Sequence, residues 1–329
     1  MKPKLSILLP AMKGYESVRT ALAAWEMQTC RDRLEILVLC PGTEAPLEAR
    51  EAALASKQVI VLVGTADLHE ARAIGIQAAS GDYIMLAEDH CLPDGDWAQA
   101  ILNRIDEGWD AVGPALRPGN RSSCWTEASF LLGYSEWMAP IAGGPVKVLC
   151  GWNGTIRTQA LRQFGPDLAD QLLLGAFLIR RLGAQGNRFY LEDRARMRHF
   201  DPPGWAFEIF LLTLVGLGFG AKRTQRWSFM GRLFYPLAAP AIAFLHWKRG
   251  FRNYRRTGTA CGLRPTALVA SMALAVAWGA GEVAGAWLGV SFVAPHLWRT
   301  EVKPVSADVV ARSNEEEGLA TADAMVVDG

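Results

Sequence analysis

Short apolar runs alternate with helically spaced apolar positions over the first 90 residues of the chain. The runs are too short for helices and end at proline, glycine or charged residues, which is typical of buried strands. These runs are residues 5–9, 35–39, 59–63 and 83–86. The segments with helical spacing are residues 17–27, 47–55 and 68–79. Alternating strands and helices with short connections predict a mostly parallel sheet with helices on both of its faces.

The alternation continues, less regularly, to about residue 199. Helical spacing predicts further helices at 97–105, 122–138 and 168–182. Apolar runs predict further strands at 111–112, 146–149, 188–191 and 196–199. Because the elements keep alternating over the whole region, the pattern predicts one Rossmann-like α/β domain.

The strand predicted at 83–86 leads into a group of polar residues. Glu88, Asp89 and His90 follow it after one alanine, and a Leu-Pro-Asp turn comes next. Open α/β sheets bind ligands at the carboxyl ends of their strands, where these side chains are expected. Carboxylates and imidazoles hold divalent metals, and a metal there would neutralise a diphosphate leaving group. The competing interpretation is a solvated turn whose carboxylates cap a helix.

Composition and charge narrow the classes of partner. The chain has 329 residues and a net charge of only +1, so it has no basic field for nucleic acid, and we expect no nucleic-acid partner. Its six cysteines are scattered without a CxxC pair, which favours a reducing compartment over a disulfide framework. The N-terminal segment lacks the long apolar core of a signal peptide. We therefore expect residues 1 to about 200 in the cytoplasm.

Charge becomes sparse in three stretches after residue 204, namely 205–220, 233–247 and 266–293. A membrane-spanning helix needs about 20 apolar residues, so only the third stretch is clearly long enough. Arginines cluster in a basic loop at 248–264, which by the positive-inside rule faces the cytoplasm and meets anionic headgroups. The second stretch is therefore expected to dip into the membrane or lie in its interface. The alternative is that all three are core helices of a soluble domain.

The order of these pieces resembles a family 2 glycosyltransferase of the GT-A fold, from Leu5 to about His199. Segments 5–10 and 35–42 resemble the family's first two strands. Ala-Arg-Ala-Ile-Gly at 71–75, followed by Gly-Asp-Tyr-Ile at 81–84, resembles the family's Ala-Arg-Asn-x-Gly and Gly-Glu-Tyr-Ile. Glu88-Asp89-His90 stands where the family has its Asp-x-Asp metal motif.

The resemblance implies a hexosyltransferase-type enzyme that uses a nucleotide-diphosphate sugar, with Mn²⁺ or Mg²⁺ as metal. It implies that a carboxylate on a later helix deprotonates the acceptor hydroxyl and that the anomeric centre is inverted. The metal ligands carried over by the resemblance are Glu88, His90 and His199. The residues expected to contact the nucleotide sugar are Pro10, Lys13, Arg72, Asp89 and Asn153, with Trp152 as a weaker candidate.

The chain departs from the family's pattern in three places. His90 stands in the third position of the metal motif, where the family has an aspartate. Asp170 is the best match for the acceptor base, with Asp167 as its rival, because the spacing to the following basic residues is slightly long. Cys40 and Pro41 replace an Asp-Asp pair whose first member commonly binds uracil in the family, so the base of the donor nucleotide stays open.

We therefore expect residues 1–204 to be a GT-A catalytic domain, 205–228 an interfacial helix or linker, 229–296 membrane-embedded or re-entrant helices, and 297–329 a disordered tail. The catalytic domain would face the cytoplasm at the cell membrane. The acceptor would be a lipid, a lipid-linked glycan or a polysaccharide of the cell envelope, with membrane lipids as further partners. The alternatives are a non-catalytic GT-A-like scaffold that binds nucleotide, and a nucleotidyltransferase.

Overall fold

Nine strands form one mixed sheet within the part of the chain that the computed structural model describes, residues 3–42 and 59–315. The strands are β1 (Leu5–Pro10), β2 (Leu34–Cys40), β3 (Val59–Leu62), β4 (Tyr83–Leu86), β5 (Cys91–Pro93), β6 (Ala111–Pro118), β7 (Gly144–Val146), β8 (Thr155–Arg157) and β9 (Phe189–His199). The helix expected at 47–55 lies outside the described residues.

The strand order is β3-β2-β1-β4-β8-β6-β9-β5, and β7 pairs with β9. The first four strands are parallel to one another, as the strand–helix alternation predicts. Beyond β4 the sheet is mixed, because β8 runs antiparallel to both β4 and β6 while β6 and β9 are parallel. The predicted Rossmann-like α/β class is thus confirmed.

Twelve α-helices can be named within the described residues. They are α1 (Arg19–Glu26), α2 (Leu68–Ala78), α3 (Trp97–Asp106), α4 (Cys124–Gly133), α5 (Thr158–Arg162), α6 (Leu168–Gln171), α7 (Gly175–Ala184), α8 (Trp205–Thr224), α9 (Phe229–Phe234), α10 (Ala239–Asn253), α11 (Thr266–Leu288) and α12 (Val290–Leu297). A further helical segment covers residues 307–315.

Helices cover both faces of the sheet, which explains why its central strands are continuous apolar runs. Ile7 of β1 packs with Trp25 of α1 and Trp97 of α3 on one face. The next residue, Leu8, packs with Ile76 of α2 on the opposite face. Because both faces are covered, every residue of β1 and β4 is buried, and the polar chemistry is left to the strand ends.

Two long helices, α8 and α11, pack against each other through small residues. A Cβ at Gly220 would meet the carbonyl oxygen of Glu282, and a Cβ at Gly285 would meet that of Leu217. Such close backbone contact is possible only with glycine at these positions. Both helices are long and apolar enough to cross a membrane, although about half of each apolar stretch is buried inside the protein. From the sequence, only α11 is clearly long enough to span a membrane. The apolar stretch at 205–220 ends before Lys222 and Arg223, whereas α8 continues to Thr224.

The predicted disordered tail differs from the structure over the described residues. After α12 a 3-10 helix covers Trp298–Thr300, and the following residues pass back over the sheet with Val302, Lys303 and Val305 buried. The Ser313 hydroxyl then donates a hydrogen bond to the Gly119 carbonyl. These contacts could not be predicted from the polar composition of the segment, because they are made with residues that are distant in the sequence.

Candidate metal centre

The pairing of β5 with β9 brings two histidines together at the end of the sheet. Cys91 lies opposite His199 in this antiparallel pair, and the Phe200 amide donates to the His90 carbonyl. Glu88 enters the same place from the end of β4. Glu88, His90 and His199 are all buried, and one ligand atom from each lies within 4.8 Å of the other two. The structure thus brings together the three residues that the resemblance gives as metal ligands.

The two imidazoles face each other through their Nε2 atoms, which are 3.1 Å apart. The Glu88 Oε1 atom lies 3.8 Å from the His90 Nε2 atom. Two ligands bound at right angles to one ion at about 2.1 Å would lie about 3 Å apart, which the two nitrogens match. Two imidazoles and a carboxylate form a donor set suited to manganese, zinc or iron.

Carboxylates stand behind both imidazoles. Asp89 Oδ1 lies 2.8 Å from His90 Nδ1, and Asp201 Oδ2 lies 3.4 Å from His199 Nδ1. A carboxylate beside Nδ1 favours a proton on that nitrogen, and it orients metal-binding histidines in this way. Both Nε2 lone pairs would then point at each other across 3.1 Å, which is repulsive without a cation between them. The residues present therefore fit a bound divalent metal.

Burial sets the protonation of this cluster. Burial lowers the pKa of His90 well below its usual value, and the positive charge of Lys303 adds to the effect. Burial also raises the pKa of Asp89 to about 7, against the opposing hydrogen bond from the Lys303 amide. His90 is thus neutral at physiological pH, which is the form that binds metals. Asp89 Oδ2 has no hydrogen-bond partner within the described residues.

Asn153 holds Glu88 in place. It is the only residue other than glycine with a positive φ in the described part of the chain, at 60°. This conformation, which asparagine tolerates in turns, lets its amide donate to Leu86 and its side chain donate to Glu88. The Tyr134 hydroxyl lies 3.4 Å from each Glu88 oxygen. Asn153, which the resemblance gives as a nucleotide contact, therefore lies beside the metal ligands.

Arg72 is a buried arginine on α2, close enough for its charge to lower the pKa of His90. Its guanidinium lies over the Trp152 ring, 4.1 Å from the centroid, and its Nη1 donates to the Glu301 carboxylate. Its Nε and Nη2 have no hydrogen-bond partner among residues 3–42 and 59–315. A buried guanidinium with free donors is suited to bind an anion.

The remaining predicted residues make no hydrogen bond or ion pair with the three proposed ligands in the described part of the chain. Pro10 ends β1, and Lys13 is exposed on the turn that follows, from where its charge lowers the pKa of Asp89. Asp170 on α6 binds Lys222 of α8 at 2.6 Å and is only half buried, while Asp167 is exposed. No hydrogen bond within the described residues joins either aspartate to the metal ligands.

Three residues at the centre were not predicted, namely Asp201, Glu301 and Lys303. The Lys303 ammonium binds Asp201 at 2.6 Å, and both side chains are buried. Asp201 follows His199 by two residues, and this short spacing was a usable signal. Glu301 and Lys303 carried no such signal, because they reach the centre only through the path of α8 to α12.

A cavity of about 170 Å³ runs from the metal centre to the apolar helices. Its polar end includes Glu88 and Lys303, and its apolar wall includes Leu212 and Val215 of α8 and Trp278 of α11. A molecule that fills this cavity would place a polar group at the cluster and an apolar part against the helices.

One family model matches part of the chain. Residues 6–165 match the family described as glycosyl transferase family 2. The mannosyltransferase PcManGT from Pyrobaculum calidifontis, solved in complex with GDP-Man and Mn²⁺, is 14% identical with a TM-score of 0.53, and the match covers 85% of this chain and 86% of that chain. This likeness shows the fold. No curated protein matches the sequence.

Two larger structures are also similar. GalNAc-T7 with UDP, GalNAc and Mn²⁺ is 12% identical, with a TM-score of 0.49, and the match covers 69% of this chain and 52% of that one. TarS of S. aureus is 11% identical, with a TM-score of 0.46 and coverage of 75% and 49%. The chain thus spans about half the length of these two proteins.

The centre is expected to bind one Mn²⁺ ion even without nucleotide. In a titration followed by the electron paramagnetic resonance signal of free Mn²⁺, Glu88→Gln should weaken binding by more than about tenfold, because a neutral amide replaces a charged ligand. Glu192→Gln is the matched control, since Glu192 is also fully buried but binds Arg104 instead. Equal affinity in the two variants would contradict the assignment.

Proposed function

Residues 6–165 match glycosyl transferase family 2 in a chain of GT-A fold, and on this premise we propose that the protein is an inverting, metal-assisted transferase. It moves a hexose from a nucleotide-diphosphate sugar to a lipid or lipid-linked glycan acceptor. The observation that carries this proposal is the pair of facing imidazoles with Glu88 beside them. These side chains could hold a divalent metal at the strand ends, where such folds bind ligands.

The donor would lie over the ends of β1 and β4. A divalent cation held by Glu88, His90 and His199 would offset the negative charge that develops on the departing diphosphate. Arg72 would bind a donor phosphate through its guanidinium, and the exposed Lys13 would meet the diphosphate from the turn after β1. Mn²⁺ and GDP-Man are bound to PcManGT, which supports Mn²⁺ as the metal and GDP-Man as one donor to test.

Asp170 remains our proposed acceptor base, with Asp167 as the alternative. Asp170 lies four residues before Leu174, which lines the cavity next to the metal centre. The Lys222 ammonium binds Asp170 Oδ1, and the side-chain amide of Gln171 donates a hydrogen bond to Asp170 Oδ2 at 3.3 Å. An acceptor hydroxyl would therefore have to share this carboxylate with Lys222 while it loses its proton.

The shape of the cavity supports an amphiphilic acceptor. Its polar end lies at the proposed donor site. Its apolar wall belongs to α8 and α11, which are the two helices within the described residues that are long and apolar enough to cross a membrane. We propose that these helices and the neighbouring surface hold the enzyme at the cell membrane with the catalytic domain in the cytoplasm. Such an acceptor would belong to cell-envelope glycan synthesis.

The exposed surface of α9 to α11 supports this placement. Large apolar side chains expose more than half of their area there, among them Leu237, Phe244, Leu245 and Val269. Basic residues are exposed on the same part of the chain; they are Lys248, Arg252, Arg255 and Arg256. Large exposed apolar side chains beside basic ones are typical of a surface that meets anionic lipid headgroups.

A non-catalytic, nucleotide-binding scaffold is the second candidate. The absence of an aspartate at positions 40 and 41, and the presence of His90 in the third position of the metal motif, favour it. A nucleotidyltransferase is a third candidate on the same architecture, and its product differs because it releases pyrophosphate.

Donor binding is expected to select one nucleotide and to need the metal. We expect UDP, GDP or CDP to bind the detergent-purified protein with Mn²⁺ and to bind at least about tenfold more weakly without it. The Glu88→Gln/His90→Ala variant should lose the binding in isothermal titration calorimetry, while Glu192→Gln should keep it. If a folded protein binds none of the three nucleotides, the proposed transferase function is wrong.

Asp170→Asn is expected to lower the rate of transfer by about 100-fold or more, because general-base catalysis contributes about that much. Nucleotide affinity should stay the same. The measurement is release of nucleoside diphosphate from labelled donor in the presence of a lipid extract, with Asp167→Asn as the control that keeps its activity. A reversed result would make Asp167 the base, and release of pyrophosphate would identify a nucleotidyltransferase.

Val215→Asn is expected to lower transfer into the lipid phase by about tenfold, because it places a polar group on the apolar wall of the cavity. Hydrolysis of the donor by water should change little, since Val215 belongs to the apolar wall and not to the metal ligands. Val59→Asn is the control, because Val59 is exposed on β3, outside both the cavity and the surface of α9 to α11. If the wild type transfers sugar to a water-soluble acceptor as fast as into the lipid phase, the proposal of a lipid acceptor is wrong.

A further inference from the structure

The segment from residue 300 to residue 305 returns to the metal centre after α12 and covers it. Thr300, Glu301 and Lys303 line the cavity beside Glu88. The Glu301 and Lys303 side chains each keep only 5% of their area exposed, although both are charged residue types that are rarely buried. Burial at this level needs partners. Glu301 pairs with Arg72, a proposed donor contact, and Lys303 pairs with Asp201.

Glu301 occupies the anion site of Arg72. Its carboxylate pairs with Arg72 Nη1, and it lies near enough to Glu88 for the two negative charges to repel. A guanidinium binds carboxylate and phosphate with the same donor geometry. A carboxylate that touches Arg72 and approaches Glu88 therefore stands where a phosphate between Arg72 and the metal centre would stand.

Lys303 occupies a second proposed donor contact, Asp89. Its backbone amide donates to Asp89 Oδ1 at 3.0 Å, and its ammonium binds Asp201 at 2.6 Å. Asp89 is the residue of the metal motif that we expect to contact the donor sugar or ribose. The segment thus takes part of two proposed donor contacts at once, Arg72 and Asp89.

The charges of the cluster favour departure of Glu301 when a donor arrives. Buried carboxyl groups outnumber the two buried basic side chains, those of Arg72 and Lys303. The carboxyl groups belong to Glu88, Asp89, Asp201 and Glu301, and the buried Glu208 lies near enough for its charge to act on Lys303. One divalent cation would reduce this excess. A diphosphate would then add further negative charge beside Glu301, and like charges in a buried site repel strongly.

We propose that residues 300–305 form an autoinhibitory strap, in which Glu301 takes the place of a donor phosphate on Arg72 until a nucleoside diphosphate displaces it. This inference rests on the proposed function, because it requires a donor with a diphosphate group. The strap reduces the apparent affinity for the donor in proportion to the fraction of molecules in which the strap is open.

The first test compares binding of UDP and GDP, each with Mn²⁺, to the full-length wild type and to Glu301→Gln by isothermal titration calorimetry. The variant should bind the selected nucleotide about five- to tenfold more tightly, because the competing charge is gone. Glu107→Gln is the control, since it removes a glutamate paired with Arg104 at 2.7 Å outside the centre and should leave affinity unchanged. Unchanged or weaker nucleotide binding by a folded Glu301→Gln protein would overturn the strap.

The second test needs no variant. Hydrogen exchange of wild-type peptides that cover residues 298–306 should become faster when nucleotide and Mn²⁺ bind, because the Lys303 amide loses Asp89 as its acceptor. Slower exchange with bound nucleotide would show that the segment closes over the donor, and would refute the strap while leaving the transferase intact. Failure of every nucleotide to bind both wild type and variant would instead refute the proposed function, and the strap with it.

Discussion

The approach of the His90 and His199 Nε2 atoms to 3.1 Å is the constraint around which the rest of this centre is arranged. Two lone pairs at that distance repel unless a proton or a cation lies between them, and the carboxylates behind both rings favour the cation. The sheet imposes the contact, because β5 and β9 pair in a register that places Cys91 opposite His199. Glu88 adds the charged third ligand, and Asn153 donates a hydrogen bond that holds it in place.

Burial gives these groups their character. A carboxylate on the surface is an ordinary solvated anion, but burial raises the pKa values of Asp89 and Glu301 to about 7 each. The cluster therefore holds negative charge only to the extent that Arg72, Lys303 or a metal compensates it. The donor diphosphate and the buried carboxylates thus compete for the same positive charges, those of Arg72, Lys303 and the metal. Through this competition, the position of residues 300–305 depends on whether metal and donor are bound.

The sequence indicated the sheet, Glu88 and His90 because these depend on local order. A strand predicted from an apolar run has a defined end, and the polar residues after β4 are placed by that end alone. His199 followed only from the resemblance to the family. Glu301 and Lys303 could not be predicted in this way. They reach the centre only after α8, α11 and α12 have set the path of the chain, and no periodicity in 298–305 records that path. For the same reason the described part of the tail is ordered where its polar composition predicted disorder.

The residues that cover the metal centre are among the last to be synthesised. Lys303 follows Asp89, its hydrogen-bond acceptor, by 214 residues, and the apolar helices α8 and α11 lie between them. During synthesis the sheet and its ligands leave the ribosome first, the apolar helices next, and the residues that neutralise Asp201 and Arg72 last. A nascent chain thus exposes an uncovered and unbalanced centre until its C-terminal third has formed. A domain trimmed after residue 204 would keep that unfinished state.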